Sequence, residues 1–194
     1  FTPGVHVGGS QAGQMSTFTI RGVTQNDFND IVETPNAVYL DDGYLAIAAS
    51  QTFAQFDLDR VEILKGPQGT LFGRNATGGL VHFISNAPSF DGVEGYVDFE
   101  VGEFDSDANS TRTVFQAAVG GPLSETVAAR AAIRVSQHDG YLKNLYTSSS
   151  QLPFLGDPGP DAGADLGDED TITGRVRFAF EPSDTLRMDL SFNF

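Results

Sequence analysis

The chain has 194 residues, 40% of them hydrophobic, a formal net charge of -15 and a pI near 4.2. That length suffices for one or two domains with cores of their own, and the acidic balance excludes a general basic surface for nucleic-acid phosphates. With no cysteine, neither a disulfide framework nor a thiolate metal site can form. No apolar run approaches the roughly 20 residues of a membrane helix, and no basic segment followed by an apolar one opens the chain as a signal peptide would. A membrane-embedded form must therefore be a barrel, because only helices and closed barrels satisfy their backbone groups in lipid.

In chain order, the first segments that matter below are Pro3-Gly4-Val5-His6-Val7 and Phe18-Thr19-Ile20-Arg21-Gly22-Val23. Val61-Glu62-Ile63-Leu64 is a short apolar strand stopped by Gly66-Pro67, since proline fixes φ and offers no ladder N–H. Gly69 to Gly73 has room for one helical turn, and Gly78-Gly79 releases the chain into a second strand, Leu80 to Ile84. Neither phosphate-loop glycine pattern is present, so the glycines alone read as turns.

From about residue 93 the pattern changes to period-2 alternation, the mark of strands with one apolar and one polar face. Val97, Phe99 and Val101 alternate with Asp98 and Glu100, and Phe115, Ala117 and Val119 with Gln116, Ala118 and Gly120. Val127 to Val135 at odd positions alternate with Arg130, Ala132, Arg134, Ser136 and His138. Ile172, Val176, Phe178 and Phe180 stand against Thr173, Arg175 and Arg177, and Leu186, Met188, Leu190, Phe192 and Phe194 against Arg187, Asp189, Ser191 and Asn193. The connections alternate in length: short at Gly121 to Glu125 and Glu181 to Thr185, longer at Phe104 to Ser110 and about Asp139 to Asp170. Outer-membrane barrels have short periplasmic turns and long external loops. The first strand then runs outward, and the arginines of the third and fourth strands face the lumen.

The run from Asp59 to Gly79, with Gly66-Pro67-Gln68-Gly69-Thr70-Leu71-Phe72-Gly73-Arg74-Asn75-Ala76 at its centre, resembles the plug-domain signature of TonB-dependent outer-membrane receptors, and Phe18 to Val23 is similar to a second landmark of that family. The resemblance implies an α+β plug domain over residues 1–88, followed over residues 89–194 by the first five or so antiparallel transmembrane β-barrel strands. The full family fold is a plugged barrel of about 22 strands. Five strands cannot close around a plug, so the chain is expected to be part of a longer protein. Phe194 reads as one more outward-facing aromatic.

The implied function is TonB-dependent active transport of a scarce nutrient across the bacterial outer membrane: a ferric siderophore, cobalamin or an oligosaccharide. The motif is more similar to the proteobacterial type of receptor than to the glycan-importing type. TonB with its ExbB and ExbD complex, outer-membrane lipid and the cargo are the implied partners, and the segment that would hold the TonB box is not in this chain. Apical plug loops would contact cargo at about Gly8 to Met15, Thr24 to Asn36 and Gly43 to Phe53, where Gln25, Asn26, Asp27, Asn29, Asp30, Tyr44, Gln51 and Phe53 offer amides, carboxylates and aromatic rings. Arg21, Arg60, Glu62, Lys65 and Arg74 fall in the plug motifs as candidates for polar contacts between plug and barrel.

Other chemistry is weakly represented. The acidic stretch Gly156 to Asp170 offers oxygen ligands for calcium but lacks EF-hand spacing, and a solvated, self-repelling external loop explains it as well. His6, His82 and His138 lie in separate elements and are not expected to be ligands, and no metal or cofactor is expected. There is no cysteine nucleophile, no His-x-x-x-His and no G-x-S-x-G setting, so an enzyme is not expected. Two further readings stand beside transport: a structural or partner-binding outer-membrane component, which includes binding another envelope protein, and a secreted β-rich binding module whose apolar faces pack on each other.

Overall fold

The computed structural model describes residues 2–10, 15–24, 33–51, 53–106, 110–143 and 164–194. The chain divides into two units, Phe1–Ala87 and Pro88–Phe194.

The first unit is α+β. Strands β1 (Val5–Ser10) and β2 (Met15–Ile20) form an antiparallel pair, and β3 (Asn36–Leu40), β4 (Gly43–Tyr44), β5 (Leu58–Lys65) and β6 (Gly79–Ser85) form a second sheet in the order β4-β3-β6-β5. Strand β3 runs parallel to β6, whereas β4 and β5 are antiparallel to their neighbours. The single turn expected after Gly66-Pro67 is the helix α1 (Gly69–Phe72), and a 3-10 turn covers Ala48–Gln51. Asp41, with φ of 50°, makes the two-residue turn between β3 and β4, a conformation for which short polar side chains are suited. Its carboxylate then accepts hydrogen bonds from the Ser85 backbone N–H and hydroxyl.

The sheet has apolar packing on both faces. On one, Val38, Val81 and Phe83 meet Phe18 and Ile20 of β2, with Leu45, Phe53 and Ile63 at the margin. On the other, Ala37, Leu80 and Ala76 pack with Tyr39, Tyr44 and Phe72. Removing side chains such as Ile20 and Leu80 from water contributes about 1.5–3 kcal/mol each.

The second unit is an antiparallel meander of five strands: β7 (Glu94–Glu103), β8 (Thr111–Pro122), β9 (Val127–His138), β10 (Glu169–Ser183) and β11 (Leu186–Asn193). These are the five alternating segments expected from the sequence, with β10 and β11 joined by Asp184-Thr185 alone. The register is continuous across the sheet: Val97 lies beside Ala117, Ala117 beside Ile133 and Ile133 beside Gly174. The ring of Phe194 lies over Gly174, where a Cβ would collide with it.

Burial on this sheet is inverted relative to a soluble domain. The face bearing Val97, Phe99, Val119, Ile133 and Leu190 is exposed, with Phe99 at 66% and Leu190 at 60%. The other face holds Arg130 at 6% and Arg175 at 2%, with Ser136 fully buried. All six arginines of the strands, Arg112, Arg130, Arg134, Arg175, Arg177 and Arg187, lie on this second face. The apolar face carries strand acids only at one end, Glu103 and Asp170, beside the long connections. A water-soluble sandwich buries its apolar face, whereas a membrane barrel turns it to lipid and tolerates charge inside. No helix among the described residues is long and apolar enough to cross a membrane.

Candidate functional site

The plug signature builds a compact loop at one end of the first unit's sheet. Backbone bonds close it in a ladder: Gly66 N–H donates to Gly78 O at 2.9 Å and Gln68 N–H to Ala76 O at 2.8 Å, while the N–H groups of Thr77 and Gly78 both reach Pro35 O at 3.1 Å. Gly78 and Gly79 are required by space. A Cβ on Gly78 would strike Asn36 Oδ1 and Val23, and one on Gly79, whose φ is +151°, would strike the Leu64 carbonyl.

Asn36 is the hub that sequence reading missed. It is buried, and its amide donates to Phe18 O at 2.7 Å and Val23 O at 2.8 Å, so it ties the Arg21-Gly22 landmark to the signature loop. Its place one residue after Pro35, at the start of a strand parallel to β6, is the structural context that gives it this role. No local sequence pattern marks it.

The loop and its neighbours enclose an open cleft of about 340 Å³, lined by Tyr39, Tyr44, Leu71, Phe72, Arg74 and Glu33 among others. The Tyr39 and Tyr44 rings are 5.3 Å apart, and Phe72 meets Tyr39 edge-on at 5.5 Å. The Tyr39 hydroxyl donates to Phe72 O at 3.0 Å, and Asn75 donates to the Tyr44 hydroxyl at 2.6 Å. Arg74 grips both oxygens of Glu33, at 3.0 and 2.8 Å. The Glu33 carboxyl is held below the usual range by a hydrogen bond from Asn75 and then by Arg74, while desolvation pushes the Tyr44 phenol up. The cleft thus pairs an aromatic wall with one amide and one ion pair, a surface suited to flat, polar-edged groups.

The residues predicted from sequence to contact cargo separate into three groups. Gln25, Asn26, Asp27, Asn29 and Asp30 lie outside the described residues. Tyr44 lines the cleft. Gln51 and Phe53 turn inward, and this corrects their assignment to a cargo-facing loop: Gln51 is buried, its amide donating to the Thr34 hydroxyl and Leu45 O, and Phe53 packs edge-on against Phe83 at 5.1 Å. The segment is not a free loop: its short strand and 3-10 turn fold it onto the core.

Of the charged candidates, Arg60 bridges Asp59 and Glu62 at the surface, Lys65 donates to Pro3 O at 2.7 Å, and Arg74 joins the cleft. Arg21 stands at a positive φ of 50°, its backbone N–H bonded to Gly4 O. In the acidic stretch, residues before 164 lie outside the described residues, and no group of three metal-binding side chains occurs among those described. His82 contacts Asp41 O, and His138 sits against Phe104, Tyr141 and Glu169.

A mixed-sheet unit followed in the chain by an antiparallel sheet with an exposed apolar face is the combination that the resemblance to a plugged outer-membrane receptor implies. The comparisons with known proteins agree. The model of the TonB-dependent receptor plug domain matches residues 1–80. The chain is 28% identical over 185 residues to the pesticin receptor of Yersinia pestis, covering 94% of this chain and 24% of that protein. It is 29% identical over 154 residues to the ferrioxamine B receptor of Salmonella typhimurium, covering 76% and 19%. The crystal structure of the ferric yersiniabactin uptake receptor FyuA from Yersinia pestis superimposes with a TM-score of 0.74 at 25% identity, over 98% of this chain and 27% of that one. The pyoverdine receptor FpvA of Pseudomonas aeruginosa, at 18% identity and a TM-score of 0.66 over 99% of this chain and 23% of that one, shows the shared fold alone.

The first 80 residues thus match the TonB-dependent receptor plug domain, and over most of its length the chain is similar to outer-membrane uptake receptors. It spans about a quarter of the length of the pesticin receptors it matches.

Proposed function

We propose that the receptor containing this chain imports a ferric siderophore across the outer membrane at the expense of TonB, with the first unit as the plug and the second as the opening strands of the barrel. The observation that carries this reading is the match to siderophore receptors across both units, 98% of the chain for the yersiniabactin receptor. Its relatives take up ferric yersiniabactin or are named for ferrioxamine B, which favours an iron chelate over cobalamin or an oligosaccharide as the cargo.

In this account the plug occludes the lumen and is displaced when TonB, energised by ExbB and ExbD, pulls on it. Arg21, Arg60, Glu62 and Lys65 are the charges the plug offers to the polar lumen wall. Such contacts are specific and can be wetted as a path opens. Tyr44 is the cargo-facing group that the described residues support, and Arg74 and Asn75 hold the cleft around it.

The test is growth on iron bound to ferric yersiniabactin or ferrioxamine B as sole source, comparing wild type, a strain lacking this gene and one lacking TonB. Loss of growth in both mutants on the same chelate supports transport. Growth of both mutants equal to wild type on every chelate favours the structural or partner-binding role. The exposed apolar face argues against a secreted module, whose faces would have to cover each other.

A further inference from the structure

At the end of the second unit's sheet where the longer connections begin, the chain is fastened around one imidazole. His138 is the last residue of β9 and lies beside Arg112 of β8 and Glu169 of β10 in the register of the polar face. Its side chain is only 10% exposed. Nδ1 stands 3.1 Å from Asp139 O, and Nε2 stands 3.3 Å from a carboxylate oxygen of Glu169. Both ring nitrogens therefore face oxygen acceptors. A neutral imidazole has one N–H and one lone pair and satisfies one of these oxygens, whereas the imidazolium donates to both. The aromatic neighbours favour the same form: the Phe104 and Tyr141 rings have their centroids 5.3 and 5.9 Å from the imidazole, within the range at which a ring attracts a cation.

The charges around the ring agree with this choice. From β8, Arg112 opposes a second cation, but its guanidinium is engaged by Glu100 of β7 at 2.9 Å. The β7 residue in line with it is Gly102, which brings no charge. From β10, Glu169 is steadied by the Thr171 hydroxyl at 2.9 Å, and the carboxylates of Asp139 and Asp168 line the same open cleft as His138.

The ring also holds together the groups that begin and end the two longer connections. Phe104, which follows β7, stacks on Tyr141 at 4.9 Å, and its N–H donates to Ser110 O at 2.9 Å. The buried Ser110 hydroxyl donates to the same Asp139 carbonyl that faces His138. Past Tyr141, Leu142 and Leu166 exchange backbone bonds at 3.0 and 2.9 Å. Tyr141 lies on Gly167, whose φ is +82° and where a Cβ would strike the ring.

We propose that His138 is a proton-operated clasp between the two longer connections. As the imidazolium it binds the Asp139 carbonyl and Glu169 at once and is attracted by both rings; on losing its proton it gives up one oxygen and that attraction. The protonated form gains the partners, so the clasp is complete at mildly acidic pH and loosens as pH rises. Histidine is the side chain whose charge ordinarily changes between about pH 5 and pH 8. The clasp does not depend on which cargo the receptor carries.

The experiment is hydrogen exchange of the full-length receptor in mild detergent at about pH 7.5 and about pH 5.5, on either side of the ordinary histidine range. Rates are read at the amides of Leu142 and Leu166 and divided by the intrinsic rate at each pH. The corrected rates should slow about fivefold on acidification in the wild type, the scale of a partly desolvated cation beside aromatic rings. In His138→Gln, which has no proton to lose in this range, they should be the same at both values, with folding verified by heat-modifiable electrophoretic mobility. Glu169→Gln, which keeps an acceptor and removes the charge, should show a reduced response and serves if His138→Gln does not fold. Wild-type rates that fail to slow on acidification overturn the proposal whatever the variants do. So does a response in either folded variant as large as that of the wild type.

Discussion

Arg130 and Glu94 meet at 3.1 Å although they belong to β9 and β7, strands separated by β8. The residue between them in the register is Gly120, and a Cβ there would come within 3.0 Å of the Arg130 Cβ and Cγ. The missing side chain is the passage through which the guanidinium crosses a whole strand. Gly120→Val is therefore expected to destabilise the folded barrel by about 1–3 kcal/mol through overpacking, read as a lower temperature of the heat-modifiable band shift. Glu94→Gln should cost less, because it keeps the shape and a hydrogen-bond acceptor.

The assignment of faces yields a paired experiment. Ile133→Arg puts a charge on the apolar face, at about 2–4 kcal/mol if it sits at mid-depth in lipid, whereas Gln116→Arg adds the same charge to the polar face at little cost. Folding yield of the full-length receptor into lipid vesicles should drop for the first and hold for the second. Equal yields would contradict the orientation.

Much of this architecture could be read from the chain before any coordinates, for a physical reason. Alternation in β7 to β11 is local, and so is the contrast of Leu123–Thr126 with the long connection after His138, so both survive in one sequence. The signature loop was equally legible because Gly66, Pro67, Gly78 and Gly79 are demanded by turns and close approach. The parallel pairing of β3 with β6 was not legible, since it joins residues about forty positions apart and has no local pattern. The inward turn of Gln51 and Phe53 is hidden for a related reason: an amide and an aromatic ring in an apparent loop suit exposure, but Thr34 and Phe83, 17 and 30 positions away, hold them inward, together with the nearby Leu45 carbonyl.

That correction separates two side chains that looked alike. Gln51→Leu should leave the Thr34 hydroxyl and Leu45 carbonyl without the amide donor they now accept from, costing about 1–3 kcal/mol, and lower the amount of folded receptor. Tyr44→Phe, which keeps the ring against Tyr39 and removes only the hydroxyl that accepts from Asn75, should leave the amount of receptor in the membrane nearly unchanged while raising the chelate concentration for half-maximal uptake several-fold. Immunoblots of purified outer membranes together with uptake titrations distinguish the two outcomes.

The Glu33 carboxyl titrates below the ordinary range in the folded protein because Asn75 and Arg74 favour its charged form. A group with a depressed folded pKa contributes stability that is fully present above its unfolded pKa and is lost as pH falls through the folded value. The clasp between Arg74 and Glu33 should therefore hold at neutral pH and release only below the usual carboxylate range. Hydrogen exchange of the amides from Gly69 to Ala76 should speed up on acidification in the wild type, beyond the intrinsic change. In Glu33→Gln it should be fast already at neutral pH and show little further acid response.

The most direct test of the account is uptake of radioactive iron presented as ferric yersiniabactin or ferrioxamine B by cells carrying the full-length receptor, by cells lacking it, and by cells lacking TonB. The account predicts accumulation of iron from one of these chelates in the first cells alone, with cells lacking TonB still binding the chelate at the surface. Accumulation at the same rate in all three would contradict it.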